Sequence, residues 1–207
     1  MPALTPENCL NATRQWVEDF VVAHNVCPFA GREVARNSIE YRQLDGNDLE
    51  GALLGLVEVC RYLDETPEVE TALLVMPEGL EDFDDYLDAL ALGEALLIDQ
   101  GYEGVYQLAS FHPDYIFEES VADGTIFEGS VSDGTDEDDP ANYTNRAPWP
   151  TWHVIREAGL ERALAHYTNP EQIPERNMQR MRELGTEQLA QQLAGLRQLA
   201  AAGQQPN

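Results

Sequence analysis

A chain of 207 residues that is 43% hydrophobic can bury its own core and is expected to form essentially one domain. Its 38 acidic residues face 12 basic ones, all arginine, for a formal net charge of −26. A charge of that sign repels nucleic acid and anionic membranes, which need a basic patch, and the absence of lysine excludes Schiff-base, pyridoxal-phosphate and phosphate-loop lysine chemistry.

Cys9, Cys27 and Cys60 are few, odd in number and widely spaced, which argues against a disulfide framework or a zinc knuckle. Met1 to Glu7 has no basic start and no apolar core, so no signal peptide is expected. No apolar run approaches the ~18 residues of a membrane span. These features predict a cytoplasmic protein without nucleic-acid or membrane partners; they do not set its oligomeric state.

In chain order, Thr5 and Pro6 predict the cap and first turn of a helix with Leu10, Ala12, Trp16, Val17, Phe20 and Val21 on one face, ending near Asn25 ahead of Pro28. Ser38 to Leu44 alternates as a short strand. Asp48 to Leu63 has a helical period, and Thr71 to Met76 is an apolar run that Pro77 stops, hence a buried strand. Leu80 to Gln100 predicts a helix ended by Gly101, and Val105 to Phe111 a third strand. Trp152 to Tyr167 reads as a helix, as do Pro174 to Leu184 and a last segment capped by Thr186 with Leu189, Leu193, Leu196 and Leu199 inward.

The expected fold is therefore α/β: a small three-stranded, largely parallel β-α-β-α-β sheet flanked by helices. Residues 1–185 would form this domain, and 186–207 a C-terminal helical extension with a disordered tail. Phe117 to Thr125 is echoed by Phe127 to Thr135, a tandem duplication that makes 118–139 an acidic surface insertion built on Asp-Gly turns. A sharper reading makes Asp133, Asp136, Asp138 and Asp139 calcium ligands, although the EF-hand spacing is missing.

Side chains suited to chemistry crowd between Ser110 and Glu157. His112 falls at the end of the third strand, where ligands gather in open α/β sheets, and Asp114 could orient it. His153 and Glu157 are four apart, so on a helix they would share a face. Asn145, Arg146 and Arg156 could hold an anion, and Tyr143 stands beside them. Cys27 opens the loop after the first helix and would serve as a nucleophile only with a histidine or a positive field nearby. His112, Asp114, His153 and Glu157 together would suit a divalent transition metal, the one cofactor the residues suggest. Tyr143, Trp149 and Trp152 could instead form an exposed aromatic patch for a ligand or partner.

The segments Trp16-Val17-Glu18, Asn25 to Ala30, Ser110 to Phe117, Asn142 to Pro150 with His153 and Arg156-Glu157, and Ile173 to Asn177 resemble the bacterial family catalogued as domain of unknown function 1415, over roughly residues 10 to 185. The resemblance implies that Cys27, His112, Asn145, Arg146, His153 and Arg156 belong to family motifs. It also implies that the duplicated passage is an insertion, because the family links its two central motifs by a shorter stretch. It implies no activity. The residues themselves point to a small enzyme of hydrolase or group-transfer type acting on an anionic small molecule, with His112, Asn145, Arg146 and His153 in one pocket. The alternatives are a non-catalytic ligand- or partner-binding module using the aromatic patch, and a metal-binding protein.

Overall fold

A computed structural model describes residues 5–117 and 137–203. The duplicated acidic passage as far as Asp136, with Asp133 and Asp136 of the calcium reading, and the tail from Gln204 lie outside them. Helix α1 (Pro6–Trp16) starts where Thr5 Oγ1 accepts the Asn8 N–H. It widens without a break into a π-helical segment, Val17–Val22, that stops at Asn25 in the left-handed region (φ 55°). A short helix, α2 (Ala30–Arg36), follows and stops at a second left-handed residue, Asn37. Strand β1 (Ile39–Gln43), α3 (Leu49–Glu65), β2 (Thr71–Val75), α4 (Phe83–Asp99) and β3 (Tyr106–Phe111) then alternate as expected. Asp48 and Asp82 cap α3 and α4 through their carboxylates.

The departure comes next. Trp152 does not begin a helix; Thr151–Arg156 is a fourth strand, β4, and α5 (Glu157–Leu164) starts only after it. Trp152 and Val154 are fully buried while His153 and Ile155 are only half-buried, a period of two rather than 3.6. Threonine, tryptophan, valine and isoleucine all favour the pleated geometry. A 3₁₀ turn (Pro140–Thr144) precedes β4, and α6 (Ile173–Leu184) and α7 (Thr186–Ala202) complete the chain.

The sheet is consequently four-stranded and mixed, in the order β1-β2-β4-β3. β1 and β2 are parallel, and β4 lies antiparallel to both β2 and β3. The three expected strands do run in one direction, but β4 is wedged between the second and third, so a three-stranded parallel sheet is replaced by a mixed one.

One face of the sheet packs Ala72, Leu74, Trp152 and Val154 against α3 and α4, which contribute Leu56, Val59, Leu63, Tyr86 and Ala89. Burying each large side chain there stabilises by roughly 1.5–3 kcal/mol. On the opposite face Leu73 meets α1 and the π segment (Trp16, Val17, Phe20, Val21). Helix α7 closes that core with Leu189, Leu193 and Leu196. No helix among the described residues is long and apolar enough to cross a membrane.

Gly79, at φ 77°, brings the turn after β2 against the turn after β1: a Cβ there would overlap the Gly46 carbonyl carbon and the Asn47 nitrogen. Gly101 has a similar φ of 81° but open space around it. Gly101→Ala should therefore cost only conformational strain, about 1–2 kcal/mol. Gly79→Ala should cost at least twice as much, readable as the larger fall in midpoint in parallel thermal melts.

Candidate functional site

The second face of the sheet is only partly covered, and what remains open is a cavity of about 1210 Å³. Its floor is the sheet itself: Leu73 of β2, Ala109 of β3, and His153 and Ile155 of β4. One wall is α1 with its π extension (Trp16, Val17, Val21); the other is α5 and α6 (Leu160, Ala163, Met178). Arg32 and Arg36 of α2, both exposed, stand at its rim.

His153 is the polar centre of the floor, with Leu73 directly opposite it on one side and Ala109 on the other. Thr71 Oγ1 lies 2.7 Å from its Nε2 and 2.6 Å from the Val154 carbonyl oxygen. The hydroxyl has one proton, and the carbonyl can only accept it. Nε2 must then carry a hydrogen and donate to Thr71, which leaves the lone pair on Nδ1. Nδ1 has no partner among the described residues, and the ring lines the cavity. Burial pushes the imidazole pKa down to about 4, so the ring is neutral at pH 7.

The charge around the cavity is opposite to that of the chain. Five of the twelve arginines line it (Arg32, Arg36, Arg156, Arg162 and Arg182), against two acidic residues among the described ones, Glu33 and Glu70. Four of the five have a partner. Arg156 donates to the Leu63 carbonyl and the Tyr106 hydroxyl, Arg182 grips Asp139 with two nitrogens, and Arg162 Nη2 stands 3.7 Å from Glu70 Oε1. Arg32 is 3.7 Å from Glu33, whose carboxylate already accepts the Ser38 hydroxyl at 2.6 Å. Arg36 makes no hydrogen bond or ion pair among the described residues.

Of the residues expected to share a pocket, Asn145 and His153 line this cavity, as do Cys27 and Arg156, but His112 and Arg146 do not. His112 is fully buried between Phe83 and Tyr86, its ring 5.2 and 5.0 Å from theirs. Its Nδ1 accepts the Asp114 main-chain N–H and its Nε2 donates to the Leu80 carbonyl, so both nitrogens are bound to backbone. Asp114 orients it through its amide, with the carboxylate exposed. Arg146 stacks over Tyr143 and donates to the carbonyls of Tyr115 and Glu137, tying the two ends of the acidic insertion to the fold. Asn145 donates its side-chain amide to the Ser110 carbonyl, and its main-chain carbonyl accepts the His112 N–H.

Cys27 carries a thiol whose pKa burial raises, with the N–H groups of Phe29 and Ala30 opposing and Glu33 adding to the rise; at neutral pH it is protonated. Glu157 opens α5 and, beyond the end of β4, does not share a helical face with His153. His112, Asp114, His153 and Glu157 are not brought together, and no group of three or more His, Cys, Asp or Glu side chains among the described residues could hold a metal ion. The supposed aromatic patch is interior: Tyr143, Trp149 and Trp152 are 5%, 7% and 0% exposed. Asp138 and Asp139 of the calcium reading serve α7 and α6, the first through a carbonyl to Thr186 and the second through Arg182. Thr71 and the α2 arginines were not anticipated; the spacing of four between Arg32 and Arg36 was their only sequence signal.

The family described as "Protein of unknown function (DUF1415)" matches residues 8–191, and the chain belongs to it. No curated protein and no solved structure matches the chain.

His153 also sets a pH dependence. Its folded pKa of about 4 lies below the unfolded value near 6.5, so the unfolded state takes up the proton first. The corresponding stability is complete above about pH 6.5 and is lost as pH falls through 4. Urea melts at pH 7 and pH 4 should show His153→Gln losing less stability over that interval than the wild type, by on the order of 3 kcal/mol. Equal losses would mean that the imidazole is hydrated and not held neutral.

Proposed function

We propose that this member of the family binds an anionic small molecule in the sheet-face cavity and acts on it, as a hydrolase or group-transfer enzyme, with His153 as proton acceptor. The observation that carries the reading is the arginine distribution. A chain of net charge −26 repels anions over most of its surface, yet five of its twelve arginines line one cavity. Such a cluster against low-dielectric walls focuses positive potential where a substrate would sit. His153 contributes a neutral ring with a fixed tautomer and a free lone pair, which is the geometry a general base requires. An anion bound beside it favours the protonated ring and so raises its basicity from the value in the empty cavity. Arg146, expected to hold the anion, is replaced in this role by Arg32 and Arg36, and His112, expected as the base, by His153.

A second reading rests on the same ring. With a pKa of about 4, His153 is a weak base at neutral pH and a good hydrogen-bond acceptor, which suits a ligand-binding protein without chemistry.

The two readings separate by following a bound anion over time. Arg32→Ala/Arg36→Ala should weaken binding of any carboxylate or phosphate ligand by at least about tenfold, since two charge-assisted contacts are removed. His153→Gln should leave binding within a few-fold while abolishing conversion of the ligand, monitored by its proton NMR spectrum. Conversion that survives in His153→Gln would remove the histidine from the chemistry. Ligands that bind and are never converted would leave the second reading. Binding that ignores the two arginines would sink both.

A further inference from the structure

We infer that the ligand is an amphipathic anion, with an apolar chain or ring system lying on Leu73, Ala109 and Ile155 and a carboxylate or phosphate held between Arg32 and Arg36 of α2. The inference rests on the anion reading of the cavity and adds to it what the rest of the molecule must be.

The floor decides this. Apart from His153 with its partner Thr71, and Arg156 at the end of β4, the sheet residues that line the cavity are apolar, and the walls of α1, α5 and α6 continue them with valine, leucine and methionine. A small polar anion would touch the rim and leave that surface in contact with water. A ligand with an apolar body removes it from water and gains roughly 25 cal/mol for each Å² covered. Size points the same way: about 1210 Å³ lies just above the range that encloses drug-sized ligands, far beyond what a bare carboxylate or phosphate fills.

The position of the head follows from which arginines are free to take it. Arg156 is engaged by the Leu63 carbonyl and the Tyr106 hydroxyl and Arg182 by Asp139, and Arg162 stands next to Glu70. Arg36 makes no hydrogen bond or ion pair among the described residues and Arg32 only an exposed contact with Glu33 at 3.7 Å; they stand one turn apart on α2, on the same side of the helix. Two adjacent, always-charged planar groups at an exposed rim suit a bidentate oxyanion. The tail then runs inward over Ala109, the small residue that faces His153 across the β3–β4 pair and keeps the floor open.

The test uses the full chain and calorimetric or fluorescence titration with hexanoate, octanoate, decanoate and decyl phosphate, beside 1-decanol, acetate and inorganic phosphate. Affinity should rise by about fourfold per added methylene along the carboxylates, the fold-change equivalent to ~0.8 kcal/mol of transfer free energy. Arg32→Ala/Arg36→Ala should weaken decanoate at least tenfold and leave decanol unchanged. Ala109→Phe should weaken decanoate more than hexanoate by filling the floor. The chain-length series needs only the wild type, so a misfolded variant does not remove the test. If acetate or inorganic phosphate binds as tightly as decanoate, with no dependence on length, the apolar body is wrong while the anion reading stands. If decanol binds as tightly as decanoate and the arginine variant is silent, the anion reading fails and this inference with it. Failure of every member of the series to bind also overturns it.

Discussion

Thr151–Arg156 pairs on both edges, with Thr71–Val75 on one side and Tyr106–Phe111 on the other, and the register of that double pairing places nearly everything else. Side chains alternate along the strand, so the register that puts Trp152 and Val154 under α3 and α4 also puts His153 and Ile155 on the opposite face. A slip of one residue would drive the imidazole into the larger core and the indole into the cavity. The end of the strand is fixed as well: Arg156 reaches the Leu63 carbonyl and the Tyr106 hydroxyl, and Tyr106 in turn donates to Asp64 of α3. The backbone of β4 is satisfied by two ladders and its terminus by a guanidinium, so His153 stands on a rigid support.

The same logic explains how arginine is used. In a chain without lysine every cation is a planar fork that suits carbonyl and carboxylate oxygens. Arg146, Arg156 and Arg197 donate to main-chain carbonyls that no secondary-structure ladder satisfies, and Arg182 clamps Asp139 at the start of the 3₁₀ turn. These are contacts of assembly. Arg32 and Arg36 differ in standing exposed at the rim: Arg32 reaches only Glu33, at 3.7 Å, and Arg36 makes no hydrogen bond or ion pair among the described residues.

Where local chemistry decides structure, the sequence was sufficient. Thr5 caps α1, α3 starts behind Asp48, Pro77 follows the second strand, and the heptad-like leucines of α7 face α1, whereas α4 starts at Phe83 behind Asp82 and not at Leu80. It misled at β4 because His153 and Glu157 are four apart, a spacing that mimics a helical face, whereas the two-residue alternation covers only six positions. That misreading carried the site with it. With three parallel strands, the carboxyl end of β3 was the place for a ligand and His112 its occupant. An antiparallel β4 beside β3 moves the opening to the face of the sheet and leaves His112 sealed behind Phe83 and Tyr86. Helix α2 was missed for a different reason: seven residues with no buried position give no apolar period to read.

The motif residues therefore divide by what their polar atoms already touch. His112 and Arg146 hydrogen-bond to backbone, Arg156 to backbone and the Tyr106 hydroxyl, and Asn177 donates to the Val26 carbonyl, pinning the loop that carries Cys27 to α6. That loop and α2 form one wall segment, bracketed by the left-handed residues Asn25 and Asn37 and steadied where Phe29 meets Tyr167 edge to face. Asparagine tolerates this backbone better than most side chains, and each turn reverses the chain where a helix would otherwise run on past the cavity. Cys27, Arg32 and Arg36 are thus delivered to the cavity by turns at Asn25 and Asn37 that do not themselves line it. A motif can be chemically rich and still be mostly scaffold. What marks His153 within it is an unoccupied lone pair on a ring that everything around it holds still.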